Sequence, residues 1–415
     1  MSLKKVKLGE ICTIEKGAIG IQKAIPGEYP LVVTGEDRKS HNEFQFDCEA
    51  VIIPLVSGTG HGHASIKRIH FQTGKFALGN ILCAVIPKDP KQLSAEYLFR
   101  FLDLNKENEL VARMKGMANV TLPIKEIAQI EIPLPNIEEQ SEFVEMYKNL
   151  EKKSSLLTSE FIHQLDLVKK LRQQLLQDAV QGSLVEQNVK DGNAIILLNK
   201  IISERGNEAM QINDEKILFD IPENWVWCKL GDIAILKSGN QYSYSKDENG
   251  IMFVKVGDMN LKGNETEITT SSKYFERTFV NNRDLIPIGS IIFPKRGGAI
   301  ATNKRRAVLK EPILVDSNTM AVIPSIEISF KYFLYWFSEI DLSKLGNDGV
   351  IPQVNNKDLN PILFPLPPLS EQHRIVQKLD ELMQYCNDLE ASIKQSQQQN
   401  EKLLQQVLRE ALRGE

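Results

Sequence analysis

From Ile375 onward the apolar positions advance by alternating fours and threes: Ile375, Leu379, Leu382, Cys386, Leu389, Ile393, Ser396, Asn400, Leu403 and Val407. That spacing is a coiled-coil seam kept for more than four heptads, and it predicts a helix from about Ser370 to Arg413. The same seam stands 232 residues earlier, at Phe143, Tyr147, Leu150, Ser154, Leu157, Phe161, Gln164, Val168, Leu171 and Leu175. Gly182 and Gly414 follow the two runs at matched points, where glycine commonly ends a helix. From Gln140 to Gly182 is 42 steps, so each rod is ~63 Å long at 1.5 Å per residue. A helix with such a face needs a partner, and the copy of equal length is the natural one. A two-fold relation between the halves makes the pair antiparallel. Setting Phe161 beside Ile393 then brings Ser154 level with Asn400, a polar layer able to fix the register. The alternatives are that the helices join two separate chains or dock on another protein.

The match extends beyond the helices. Lys7-Leu8-Gly9-Glu10-Ile11 recurs as Lys229-Leu230-Gly231-Asp232-Ile233, and Gly35-Glu36 as Gly257-Asp258, both displaced by 222. Ile52-Ile53-Pro54 aligns with Ile292-Phe293-Pro294 at 240, and Ala84-Val85-Ile86-Pro87 with Ala321-Val322-Ile323-Pro324. Pro133-Leu134-Pro135 and Glu139-Gln140 match Pro365-Leu366-Pro367 and Glu371-Gln372 at 232. An ordered series with small changes of spacing means a tandem duplication of about half the chain. Each half begins with a globular part. Short apolar runs such as Val51–Val56 and Gly289–Phe293 read as strands, and helices are expected near Ala95–Leu104 and Phe330–Ile340. The Pro-Leu-Pro motif closes that part, and the long helix follows. Between the halves, Ser183–Asn224 is polar, with a short helix expected around Ala194–Ile202. The fold class is therefore α+β: two globular α/β domains separated by two long antiparallel coiled-coil helices, in a pseudo-two-fold internal repeat.

Composition narrows the function more by exclusion than by signal. The longest greasy stretch, around Ala194–Ile202, is short and contains Lys200, so no membrane span is expected. The five cysteines are scattered without a C-x-x-C pair, which fits reduced thiols in a cytoplasm better than disulfides or zinc. MSLKKVKLGEI has basic residues but no apolar signal core, so a cytoplasmic location is expected. A net charge of −4 argues mildly against nucleic acid, so any DNA-binding face has to be local or shared with a partner. Catalytic signatures are missing as well. There is no P-loop, no Gly-rich cofactor fingerprint and no metal-nuclease pair beginning Pro-Asp; Asn360-Pro361-Ile362-Leu363 only begins like an Asn-Pro-Pro-Tyr methyltransferase motif. No cofactor, no metal and no catalysis by the chain are expected.

Two dissimilar globular parts, each closed by Pro-Leu-Pro and followed by a helix opening on Glu-Gln, resemble the specificity subunit of Type I restriction–modification systems. The resemblance covers essentially the whole chain. It rests most on Ile132-Pro133-Leu134-Pro135 with Glu139-Gln140, on Phe364-Pro365-Leu366-Pro367-Pro368-Leu369 with Glu371-Gln372, and on Ile221-Pro222-Glu223-Asn224-Trp225 before Lys229-Leu230-Gly231. The first half departs from the pattern in lacking the Pro-Glu-Asn-Trp segment. The resemblance implies a non-catalytic reader of double-stranded DNA, each target-recognition domain taking one half of a bipartite, asymmetric site. It also implies helices that act as a ruler for the gap and as the docking surface for two methyltransferase subunits, with restriction/translocase subunits joining later. The expected boundaries are 1–136 and 223–368 for the recognition domains, 137–183 and 369–415 for the helices, and 184–222 for the linker. Competing readings are a protein-only coiled-coil scaffold, which leaves the duplicated domains unexplained, and a metal-dependent nuclease.

Candidate DNA contacts follow from side-chain chemistry. Lys295, Arg296, Gly297, Gly298, Thr302, Asn303, Lys304, Arg305 and Arg306 lie in a stretch with five cations and no acid. Its glycines let backbone approach phosphate, and Arg and Asn can read guanine and adenine edges. A plain glycine turn with a solvated basic end is the alternative. The matching stretch of the first half offers Ser57, Thr59, His61, His63, Lys67 and Arg68. His61 and His63 are expected on one face of a strand, but two histidines without a third ligand make a poor metal site. Ahead of each Pro-Leu-Pro closure, Arg113, Lys115 and Asn119 in the first copy and Gln353, Asn355 and Asn356 (from the segment 347–356) in the second resemble the family's phosphate- and base-contacting loop.

Overall fold

The apolar runs lie at the centres of sheets, where both faces of a strand are covered, and this is why they do not alternate. In the strand Ala50–Pro54, Val51 and Ile53 enter one core and Ala50 and Ile52 another. In Ser290–Pro294, Ile291 and Phe293 divide from Ile292 in the same way. The computed structural model describes residues 4–58, 63–117, 119–206, 217, 219–242, 250–345 and 352–413. It divides into two units, Met1–Gln164 with Ser392–Glu415, and Leu165–Ala391.

In the first unit four antiparallel strands run in the order Cys12–Lys16, Leu82–Pro87, Ala50–Pro54, His70–Gln72. A second sheet, in the order Lys39–His41, Tyr29–Val32, Lys75–Leu78, Phe46–Asp47, holds one parallel pairing, Leu31 with Ala77. The helix Ala95–Leu104, capped by Ser94, sets Tyr97, Leu98 and Phe101 against Val51, Ile53 and Val85. The second unit repeats the plan with Ala234–Ser238, Thr319–Pro324, Ser290–Pro294 and Arg306–Val308 in the same order. The register is also shared: Ile52 faces Ala84 and Ile292 faces Ala321. Its helix spans Phe330–Ser338 and buries Tyr332, Phe333, Trp336 and Phe337.

The two closing motifs acquire physical meaning here. Lys5–Lys7 pairs with Glu131–Pro133, and Val226–Lys229 with Leu363–Leu366, so each Pro-Leu-Pro begins at the edge of a two-stranded ladder, where proline is tolerated. Tyr97 donates to the Pro133 carbonyl at 3.1 Å and Tyr332 to that of Pro365 at 3.0 Å. Gln140 and Gln372 are fully buried. Gln140 accepts from the Ser94 amide at 2.9 Å and donates to the carbonyls of Gln92 and Pro135, each at 2.9 Å. Gln372 accepts from the Ser329 amide at 2.8 Å and donates to the Pro367 carbonyl at 2.9 Å. The glutamine of each Glu-Gln pair thus clamps the long helix to the start of the domain's own helix. The glutamates differ. Glu139 forms a reciprocal cap with Asn136, whereas buried Glu371 accepts from Gln187 and Asn224 and so ties down the linker. Asn224 of the Pro-Glu-Asn-Trp segment has its role there, and Trp225 sits in the core. The linker helix runs Ala194–Arg205, begun by an Asn193 cap and ended by Gly206 at φ 63°.

The long helices span Ile137–Gln181 and Leu369–Arg413; Gly414 lies outside the described residues. In the first unit Tyr147 and Leu150 pack with Leu404, Leu408 and Leu412. In the second, Leu175 and Ala179 pack with Ile375 and Leu379. The pairing is antiparallel, and Asn400 donates to the Ser154 hydroxyl at 3.1 Å, as the sequence register required. The strict heptad seam needs correction. Leu157, Leu171, Leu389 and Leu403 are 43–60% exposed, and Thr158, Arg172, Glu390 and Leu404 take the inward places instead. A straight helix at 3.6 residues per turn drifts against a 3.5 repeat, and here the covered stripe follows the helix. Polar seam residues cost stability in exchange for register, so Asn400→Leu should stabilise the chain by about 1 kcal/mol in urea unfolding; a loss of that size would mean that the hydrogen bond outweighs an added apolar contact.

Candidate nucleic-acid interface

After Ser290–Pro294 the chain turns through Gly297, at φ 74°, where a side chain would be strained, into a short 3-10 helix, Gly298–Thr302. Two backbone bonds fix the turn to the segment before the closure: Gly297 N–H to Pro352 O at 2.8 Å and Val354 N–H to Lys295 O at 2.9 Å. The first domain has the same two bonds at matched positions, Ser57 to Val120 and Leu122 to Leu55, each at 2.9 Å. Each domain therefore brings together the two stretches that the sequence singled out separately.

Within the basic stretch the cations separate into two groups. Arg305 lies over the Phe337 ring at 5.1 Å and donates to the carbonyls of Asn303 and Ile340; burial lowers its pKa to about 10. Arg306 donates to Met259 O at 2.9 and 3.2 Å. Asn303, in the left-handed region at φ 49°, donates to Asp341 at 2.8 Å and accepts from the Leu342 amide. Thr302 bonds Ala299 O, and Lys304 donates to Asn260. These residues fasten the loop to its own domain. Arg296 is exposed, and its guanidinium donates to Gln353 at 3.1 Å. Gln353 in turn donates to Asn355 at 2.7 Å. Lys295 is half-buried beside Arg296, and both burial and that neighbouring charge lower its pKa. Gly298 and Asn356 are exposed, Asn356 donating to Leu236 O at 3.5 Å.

In the first domain Ser57 donates to the His63 carbonyl and accepts from the Ser65 amide. Among the described residues His63 stands in irregular chain and not in the expected strand, and the next strand begins at His70. Thr59 and His61 lie outside the described residues, as does 347–351 in the second domain. Lys67 and Arg68 line a cleft of about 480 Å³ with Gly35, Glu36, Ser57 and Gly58, and Arg68 pairs with Glu36 at 2.8 Å. Arg113 pairs with Glu109 at 2.9 Å, Lys115 with Glu126 at 2.7 Å, and Asn119 is exposed. Sequence reasoning missed Arg38. It donates to Gln72 at 3.1 Å, to Glu36 O at 3.2 Å and to buried His70 at 3.2 Å. Burial, reinforced by Arg38, lowers the His70 pKa to about 4, so the ring is a neutral acceptor. His70 faces Ile52 as Arg306 faces Ile292, so each domain fastens the same strand to its Gly-acidic turn by different chemistry. No local signal marks a contact 32 residues apart. Among the described residues no three His, Cys, Asp or Glu side chains are grouped to hold a metal, and no helix is long and apolar enough to cross a membrane.

Residues 2–166 and 222–398 each match the family described as Type I restriction modification DNA specificity domain. The chain belongs to this family. Both family copies coincide with the duplicated framework described above. Among the relatives, the Type I restriction enzyme EcoDI specificity subunit of Escherichia coli is 25% identical over 423 residues, covering 99% of this chain and 88% of that protein. The MjaVIII specificity subunit of Methanocaldococcus jannaschii is 24% identical over 398 residues, covering 90% and 84%. The fold is shared with a chain solved in work on complex assembly and conformational transition of the type I R-M system, with a TM-score of 0.61, 17% identity and 100% and 98% coverage. It is shared too with the HsdS subunit of Thermoanaerobacter tengcongensis, with a TM-score of 0.52, 18% identity and 100% and 97% coverage. The expected α+β repeat of two recognition domains and two long helices is thus the family's own fold.

Proposed function

We propose that this chain is the non-catalytic, DNA-reading subunit of a Type I restriction–modification enzyme acting in the cytoplasm. Domain 1–136 reads one half of a bipartite, asymmetric duplex site and domain 223–368 the other. The helices 137–183 and 369–415, with the linker 184–222, set the gap and dock two methyltransferase subunits, which restriction/translocase subunits join. One observation carries this reading. The two domains share one backbone ladder at the candidate surface but present different side chains on it, Val56 and Thr121 in the first against Arg296 and Gln353 in the second. A common scaffold with unlike reading groups is what two different half-sites require. Docking is supported by four outward leucines of the heptad seam, Leu157, Leu171, Leu389 and Leu403, which recur at matched places on both helices and offer apolar contacts to a partner used twice.

Methylation mapping in a host that expresses the chain with its methyltransferase partner tests the reading. The expected product is one discontinuous, asymmetric motif. Exchanging residues 295–306 for the matching stretch of another family member should change one half of it only. A continuous motif, or both halves changing together, contradicts the division of labour.

A further inference from the structure

We infer that Arg296 reads a guanine in the half-site bound by the second domain, that Gln353 and Asn355 are its positioning residues, and that the first domain has no counterpart. This rests on the DNA-reading role proposed above. Arg296 is the exposed cation of its turn, and its backbone is held on both sides by the bonds of Gly297 to Pro352 and Val354 to Lys295. Its side chain is held as well, by Gln353 at 3.1 Å, which is held by Asn355 at 2.7 Å. The relay ends on a fixed point: the Asn355 backbone N–H donates to the Asp358 carboxylate at 2.8 Å in a reciprocal cap at the start of the helix Asn356–Leu359.

The chemistry selects among ligands. A phosphate can also take paired bonds from a guanidinium, but it is the same at every base pair and carries no sequence information. Guanine presents N7 and O6 side by side in the major groove, and two parallel N–H bonds from an oriented guanidinium match them, whereas adenine places a donor at that edge. Gln353 spends its carbonyl on Arg296 and donates its amide to Asn355, so it orients the reader. In the first domain the matched positions are Val56, Thr121 and Pro123, on the same ladder but without an arginine or an amide relay. Guanine reading at this position therefore belongs to one half-site alone.

Selection of bound duplexes from a random library tests this, using the full chain with its methyltransferase partner. Wild type should select guanine at one position of one half-site, and 7-deazaguanine there, which lacks the N7 acceptor, should weaken binding. Arg296→Ala should lose that preference and bind the selected site about 10- to 100-fold more weakly, the range for one bidentate base contact. It should be indifferent to the deaza substitution and keep the other half-site intact. Gln353→Ala should relax the preference at the same position while the other half-site is selected as in wild type. Arg296→Ala weakening all sequences alike, with no deaza effect in wild type, would overturn the inference in favour of a phosphate contact. A wild-type complex that selects no sequence would instead overturn the DNA-reading role, and this inference with it.

Discussion

Gln372→Ala should destabilise the second unit by about 3–4 kcal/mol, lowering its unfolding midpoint by about 10 °C for a unit of this size. The side chain is fully buried and joins two parts of the chain that nothing local holds together, the Ser329 amide at the start of one helix and the Pro367 carbonyl at the start of another. Truncation strands a buried donor and a buried acceptor, each costing about 1–3 kcal/mol, and leaves a void where the amide was. Gln372→Glu should fare no better, because a carboxylate accepts from Ser329 but has no N–H for Pro367. Trp225, Trp227 and Trp336 all lie in this unit, so tryptophan fluorescence during urea unfolding follows it directly. A loss below about 1 kcal/mol would mean that water replaces both bonds. Gln140 makes the corresponding bonds in the first unit, and the recurrence explains why Glu-Gln marks the beginning of both long helices.

The duplication was legible because insertions between its matched pieces are small, and its strands because a strand covered on both faces is a continuous apolar run. The antiparallel register was legible from one polar pair, Ser154 and Asn400. The heptad pattern was misleading for a definite reason: Leu157, Leu171, Leu389 and Leu403 fit a 3.5-residue period, but the covered stripe keeps the helix's own ~3.6-residue period and leaves them outward. The candidate interface was legible as a region and only partly as residues. Lys295 to Arg306 looks uniform in composition, yet Arg305 and Arg306 spend their guanidinium groups on carbonyls 35 and 47 residues away. Such bonds cross the chain without leaving a periodic trace. Arg38 and His70 escaped notice for the same reason, whereas Arg296 and Gln353 were both noticed without their 57-residue separation suggesting that they touch.

Removing residues 155–161 together with 393–399 should shorten the preferred gap between half-sites by about three base pairs. The two stretches lie opposite one another beside the Ser154–Asn400 layer, so paired deletion keeps that layer and the antiparallel match. Seven residues are close to two helical turns, so side chains beyond the cut return to within about 20° of their former faces. The rods lose ~10 Å at 1.5 Å per residue, equal to about three steps of B-DNA at 3.4 Å each. Three steps also turn the second half-site by about 100° around the duplex axis. The shortened site therefore has to be met by twisting DNA, and its binding should be weaker than that of the wild-type pair. The original site should lose at least about a hundredfold in binding, because one domain no longer reaches its bases and each lost base-pair contact costs about 1–3 kcal/mol. Deleting only 155–161 should do worse than the paired deletion, since it shifts the outer positions of the first helix by seven residues against an unchanged partner and parts Phe143, Tyr147 and Leu150 from Leu404, Leu408 and Leu412. Selection from duplex libraries with variable gaps reads all of these outcomes. A preferred gap unchanged by the paired deletion would show that something other than the helices sets the distance.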